Sequence, residues 1–140
     1  MTSRLTRLPL LGAGIVLSSA VATAMAADNP LSVHVLNIQN GQPSPGVEVE
    51  LERRTDTGWK YLSTETTDNA GRISALYPED ESFEPGVYRV TFETGEWFEA
   101  RDTATFFPEI PVLFQVENTM QHYHVPMLLS PYGYSTYRGN

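Results

Sequence analysis

Three histidines, one arginine behind a tight turn and the last four residues are the groups in this chain suited to act on a small molecule. His122 and His124 stand two apart in Gln121-His122-Tyr123-His124-Val125-Pro126. In a strand they share one face, with Tyr123 and Val125 on the other. His34, in Leu31-Ser32-Val33-His34-Val35-Leu36, lies opposite Leu31, Val33 and Val35. Arg72 follows the turn Asp68-Asn69-Ala70-Gly71, a rigid mount for a fork of N–H donors. Tyr137-Arg138-Gly139-Asn140 ends the sequence with a phenol, a guanidinium and a chain-end carboxylate close behind a strand pattern.

Three readings fit these residues. The plainest is polar side chains on solvated strand faces. A His-x-His pair with His34 as third ligand can chelate a divalent ion, but that set holds no cysteine and no inward carboxylate to carry charge. Imidazoles titrating near neutral pH can instead serve as general acid and base, with Arg72 recognising a flat, carbonyl-rich or anionic ligand.

The elements that must position these groups are short and alternating. Residues 31–36, 47–52, 59–65, 72–76, 87–92, 112–116, 123–129 and 132–137 each read as a strand, separated by Gly, Pro, Asn and Asp turns. Val47-Glu48-Val49-Glu50-Leu51-Glu52 alternates most cleanly and predicts one buried face and one solvated carboxylate row. Residues 97–104 are the one place where a short helix is plausible. Eight short strands at this spacing predict an all-β sandwich of two stacked sheets.

Ahead of this domain, Arg4 and Arg7 precede an apolar stretch over residues 8–22, and Ala24-Met25-Ala26 supplies a small-x-small cleavage pattern. Residues 1–26 therefore read as a secretory signal peptide and residues 27–140 as one mature domain in the periplasm. Losing Arg4 and Arg7 takes the nine basic residues to seven, against 17 acidic ones, a net charge of −10. That balance excludes a nucleic-acid binder and leaves no basic patch for an anionic membrane. With no cysteine in the chain, stability has to come from the core or from assembly, and a thiolate nucleophile is excluded.

Taken together, the segments carry a resemblance. His122-Tyr123-His124-Val125-Pro126 followed by Ser130-Pro131-Tyr132-Gly133-Tyr134-Ser135-Thr136-Tyr137-Arg138-Gly139 resembles the C-terminal signature of the 5-hydroxyisourate hydrolases, the transthyretin-related enzymes of purine breakdown. Leu31-Ser32-Val33-His34-Val35-Leu36-Asn37 is similar to that family's N-terminal signature, Asp68-Asn69-Ala70-Gly71-Arg72 to its central turn, and Phe106-Phe107-Pro108-Glu109-Ile110-Pro111-Val112 to a further family segment. The resemblance implies a transthyretin-like β-sandwich of two four-stranded sheets, one short helix after the fifth strand, and a homotetramer built as a dimer of dimers. It places the catalytic set on His34, Arg72 and His124 and substrate binding on Tyr137, Arg138, Gly139 and Asn140. No cofactor or obligatory metal is implied, and the substrate is 5-hydroxyisourate. Asn140 departs from the serine that ends the family's usual Tyr-Arg-Gly-Ser. Either His34 or His124 suits the base, and His122 has no assigned role. Two other classes remain as expectations to set against hydrolysis. One is a small-molecule carrier like transthyretin, which lacks the paired histidines, the arginine and the Tyr-Arg-Gly ending. The other is a structural periplasmic sandwich.

Overall fold

A computed structural model describes residues 28–140; the expected signal peptide, residues 1–26, lies outside the described residues. The strands are β1 (Leu31–Asn37), β2 (Gln42–Pro43), β3 (Glu48–Thr55), β4 (Gly58–Thr66), β5 (Arg72–Ile73), β6 (Gly86–Phe92), β7 (Ile110–Val116), β8 (Tyr123–Ser130) and β9 (Gly133–Thr136), with one helix, α1 (Thr94–Glu99), after β6.

Alternation decides which face each strand buries. Leu31, Val33 and Val35 of β1, Val49 and Leu51 of β3, Tyr88, Val90 and Phe92 of β6, and Tyr123, Val125, Met127 and Leu129 of β8 all point into one core between two sheets. Burying a side chain of this size removes it from water at a gain of about 1.5–3 kcal/mol. That gain opposes a one-residue slip, which would turn every one of these side chains outward. The first sheet runs β2-β1-β8-β9 with β5 also on β1, and the second runs β4-β3-β6-β7.

The sheets are five- and four-stranded, where two sheets of four were expected. The difference comes from β2 and β5, two residues each, which share one edge of β1 end to end. Leu36 and Asn37 pair with Pro43 and Gln42, while Val33 and His34 pair with Ile73 and Arg72. Together they fill one strand position. The strand expected over residues 72–76 stops at Ile73 because Leu76 and Tyr77, adjacent in sequence, are both buried. A period-2 strand cannot turn both inward, so the chain bends, and Leu76 N–H donates to the Leu31 carbonyl at 3.1 Å.

The helix also lies earlier than residues 97–104. It begins at Thr94, buries Trp97 and Phe98, and gives way to a turn in which Asp102 takes φ 52° and Thr103 N–H reaches back to the Phe98 carbonyl at 3.0 Å. The apolar pair sets its position; the polar residues after it form only a left-handed exit. The carboxylate row on β3 is solvated at Glu48 but not at its far end. Glu52 is ion-paired with Arg89, whose guanidinium lies 4.3 Å from the centre of the Trp59 ring.

The β1–β8 pair is parallel, in register from Leu31↔Tyr123 to Asn37↔Leu129. Parallel neighbours need a long crossover, and here the whole second sheet supplies it. This pairing brings the two ends of the domain side by side.

The turn before β5 is tightly built. Asp68 Oδ1 accepts from Ala70 N–H at 2.8 Å and from Arg72 N–H at 3.0 Å, and Val35 N–H donates to the Gly71 carbonyl at 2.8 Å. Gly71 has φ 71°, and a Cβ there would sit 2.5 Å from the Val35 oxygen and 2.9 Å from the Ser44 nitrogen. Both contacts are backbone and cannot swing aside. Gly71→Ala is expected to cost about 2–3 kcal/mol, read as a lower denaturation midpoint at unchanged m-value. Activity should fall with it, since the same turn mounts Arg72.

Candidate active site

Four polar side chains are set side by side on the outer face of the first sheet. Ser32 and His34 alternate with the buried valines of β1 and are half-buried. Across the parallel ladder His124 is the register partner of Ser32, and Pro126 that of His34. On the other edge Arg72 is the partner of His34. Arg72, His34 and the β8 residues thus stand on three adjacent strands, spanning about 10 Å from first to last. A small bicyclic ring is commensurate with that span.

Ser32 ties the histidines together. Its Oγ lies 2.8 Å from His124 Nδ1 and 2.8 Å from His122 Nε2. Nδ1 of His122 in turn lies 2.8 Å from the Asn29 carbonyl. The pattern Ser32-x-His34 was readable as one strand face, but a serine on a wet face has no distinguishing mark until the parallel register sets it against His124. Sequence reasoning missed it for that reason, along with Asn29.

The electrostatics favour neutral imidazoles. Partial burial lowers the pKa of His34 below 6.5, and the Arg72 charge lowers it further, outweighing the opposing pull of the Ala70 backbone and of Asp68. His124 is likewise lowered, first by burial and then by Arg72, against an opposing pull from the Ser32 backbone and with His122 and His34 adding to the effect. Near neutral pH each therefore holds a free lone pair, the form a general base requires. Arg72 is exposed, and among the described residues its guanidinium has no hydrogen-bond or ion-pair partner. Its donors are available to a ligand.

The C-terminal residues divide. The antiparallel register of β8 and β9 continues past Thr136 and sets Gly139 against His124, with Gly139 N–H donating to the His124 carbonyl at 2.9 Å. The Arg138 guanidinium lies 4.9 Å from the centre of the Tyr123 ring and donates to Gln121 Oε1 at 2.8 Å. Tyr137 and Asn140 are exposed. His122 is a wall common to two open grooves. One, of about 380 Å³, is also lined by Ser32, Arg72 and Ser74; the other, of about 510 Å³, by Arg138, Gly139 and Asn140. Among the described residues no group of three or more His, Cys, Asp or Glu side chains converges as a metal ion would need.

Gly139 is glycine for a steric reason. A Cβ there would run into Cδ2 of the His124 ring and approach Pro126 Cγ to 3.0 Å. Gly139→Ala should push the imidazole aside, lowering kcat by roughly 10- to 100-fold while leaving the thermal midpoint within a few degrees of the parent. Steady-state kinetics with a melting curve would test this; unchanged kcat would mean the ring is free to yield.

Residues 31–139 match the model of the HIUase/Transthyretin family. The chain belongs to this family. It is 56% identical over 128 residues to a 5-hydroxyisourate hydrolase of Salmonella dublin, an alignment covering 91% of this chain and 93% of that one. The solved 5-hydroxyisourate hydrolase of Klebsiella pneumoniae shares its fold at a TM-score of 0.69 and 34% identity, over 80% of this chain and 94% of that one. Sea bream transthyretin, solved with thyroxine, superposes at a TM-score of 0.73 and 32% identity, over 79% of this chain and 94% of that one. The transthyretin-like sandwich expected from sequence is therefore the fold of this family member. Hydrolases and a transthyretin solved with thyroxine share that fold, so the side chains on its outer face must separate them.

Proposed function

We propose that this family member hydrolyses 5-hydroxyisourate to 2-oxo-4-hydroxy-4-carboxy-5-ureidoimidazoline in urate degradation. The observation that carries this reading is the placement of His34 and His124 on adjacent strands of one sheet face, beside an Arg72 whose guanidinium has no partner among the described residues. Similarity to the Salmonella enzyme over most of both chains supports the same substrate.

In the reaction a water oxygen bonds to the carbonyl carbon of the six-membered ring's amide while an imidazole takes the water proton. Water is a weak nucleophile, and a positioned base contributes about 10²–10⁴-fold. Charge develops on the former carbonyl oxygen, where a fixed guanidinium stabilises it; Arg72 has that role. The ring C–N bond then breaks, its electron pair stays on nitrogen, and the imidazolium returns its proton there. The new carboxylic acid ionises. Tyr137, Arg138, Gly139 and Asn140 border the site as its substrate-binding residues, with Tyr137 and the chain-end carboxylate holding the substrate's ring face and N–H groups. No cofactor enters this scheme.

The assembly that completes the site is a homotetramer, a dimer of dimers, and the working protein is the periplasmic chain 27–140 after cleavage of the leader. Both belong to the proposal. The superposition on sea bream transthyretin favours a second reading, a carrier without catalysis. Generating 5-hydroxyisourate with urate oxidase and following its decay with added protein, with and without chelator, separates the two. The hydrolase accelerates decay in both arms, whereas a carrier binds without turnover. Mass measurement of the exported protein and light scattering test the leader and the tetramer.

A further inference from the structure

The two imidazoles of His122-Tyr123-His124 meet at one hydroxyl, and the atoms around it leave little freedom in where the protons sit. The Asn29 carbonyl oxygen, 2.8 Å from His122 Nδ1, can only accept, so that nitrogen carries a proton. With His122 neutral, its Nε2 is bare and accepts the Ser32 hydroxyl proton across 2.8 Å. That hydroxyl has a single proton to give. Toward His124 Nδ1, also at 2.8 Å, it presents a lone pair, so Nδ1 must be the donor. The proton of neutral His124 is thereby kept on Nδ1, and Nε2 is left with the lone pair.

We infer that Asn29, His122 and Ser32 form a one-way hydrogen-bond chain that holds His124 as the Nδ1–H tautomer and so makes its Nε2 the base that deprotonates water. This rests on the hydrolytic reading above and chooses between the two histidines that reading leaves as bases. Neither Ser32 nor His122 touches a reacting atom in this scheme; both are positioning residues. They work because an imidazole whose proton sits on Nε2 offers an N–H where the reaction needs a lone pair. The orienting partner of a catalytic histidine is known to act this way in other hydrolases, where loss of the correct tautomer is costly. His34 meets no hydroxyl of this kind among the described residues and hydrogen-bonds the Ala70 backbone instead, so the chain ends at His124 alone.

The test is made at about pH 8, above the ordinary imidazole range, so that neutral rings are compared. Two-bond ¹H–¹⁵N correlation spectra of the full protein with ¹⁵N-labelled imidazoles report the tautomer directly and need no substrate. The expected result is a protonated Nδ1 and a bare Nε2 at His124 in the parent, shifting toward the other tautomer in Ser32→Ala. Ser32→Ala should also lower kcat roughly tenfold at nearly constant KM, with Ser32→Thr, which keeps the hydroxyl, recovering most of it. An Nε2–H tautomer in the active parent overturns the inference, as does a Ser32→Ala variant with parental kcat. A parent that leaves 5-hydroxyisourate untouched overturns the hydrolytic reading and the base assignment with it, and the hydrogen-bond chain is then judged by the spectra alone.

Discussion

His124→Ala is expected to open the substrate ring about 10²–10⁴-fold more slowly than the parent while folding and assembling normally. The effect is large because the substitution removes the imidazole held in the base tautomer, and His34, though also neutral, is not held by the Ser32 hydroxyl. The fold survives because His124 is on the outer face, only half-buried, and its neighbours Tyr123 and Val125 keep the core contacts. Stability loss is limited to its hydrogen bond with Ser32, worth about 0.5–1.5 kcal/mol. Single-turnover kinetics alongside a urea melt would measure both. A variant that unfolds would show the histidine to be structural, and one that folds with parental rates would remove it from the chemistry.

Arg72→Ala should lower kcat by about 10²–10³-fold, the size expected for losing a fixed donor aimed at a developing oxyanion. It should also move the pH profile. In the parent, partial burial and then the Arg72 charge disfavour protonation of His34 and His124, so the acid limb of kcat/KM lies below pH 6.5. Removing the guanidinium lets both imidazoles protonate more readily, and the limb moves up toward 6.5. Arg72→Lys keeps the charge without the planar fork, so it should lose rate yet hold the limb where it was. The same shifts predict how stability depends on acidity. Because the folded histidines bind protons less well than the unfolded ones, stability is complete above pH 6.5. It falls as the pH drops through the lowered folded values, and it falls less in Arg72→Ala. A limb that stays put in Arg72→Ala would mean the guanidinium points away from both rings.

What the sequence determined by itself is whatever depends on neighbours along the chain. The period of two set Val33 and Val35 inward and Ser32 and His34 outward, and it set Tyr123 and Val125 against His124 in the same way. Asp68-Asn69-Ala70-Gly71 specified its own turn, since an aspartate that accepts from backbone N–H groups two and four residues ahead and a glycine at positive φ are local demands. Tertiary structure alone decided the register between strands some ninety residues apart: Ser32, and not His34, stands opposite His124. It also decided that β5 ends at Ile73, that α1 begins at Thr94 to dock Trp97 and Phe98, and that Gly139 closes on the His124 ring. The physical reason is common to all of these. Alternation needs only the chirality of each residue, whereas register and closure are fixed by burying the faces of distant strands against one another, and no short stretch of sequence contains both partners.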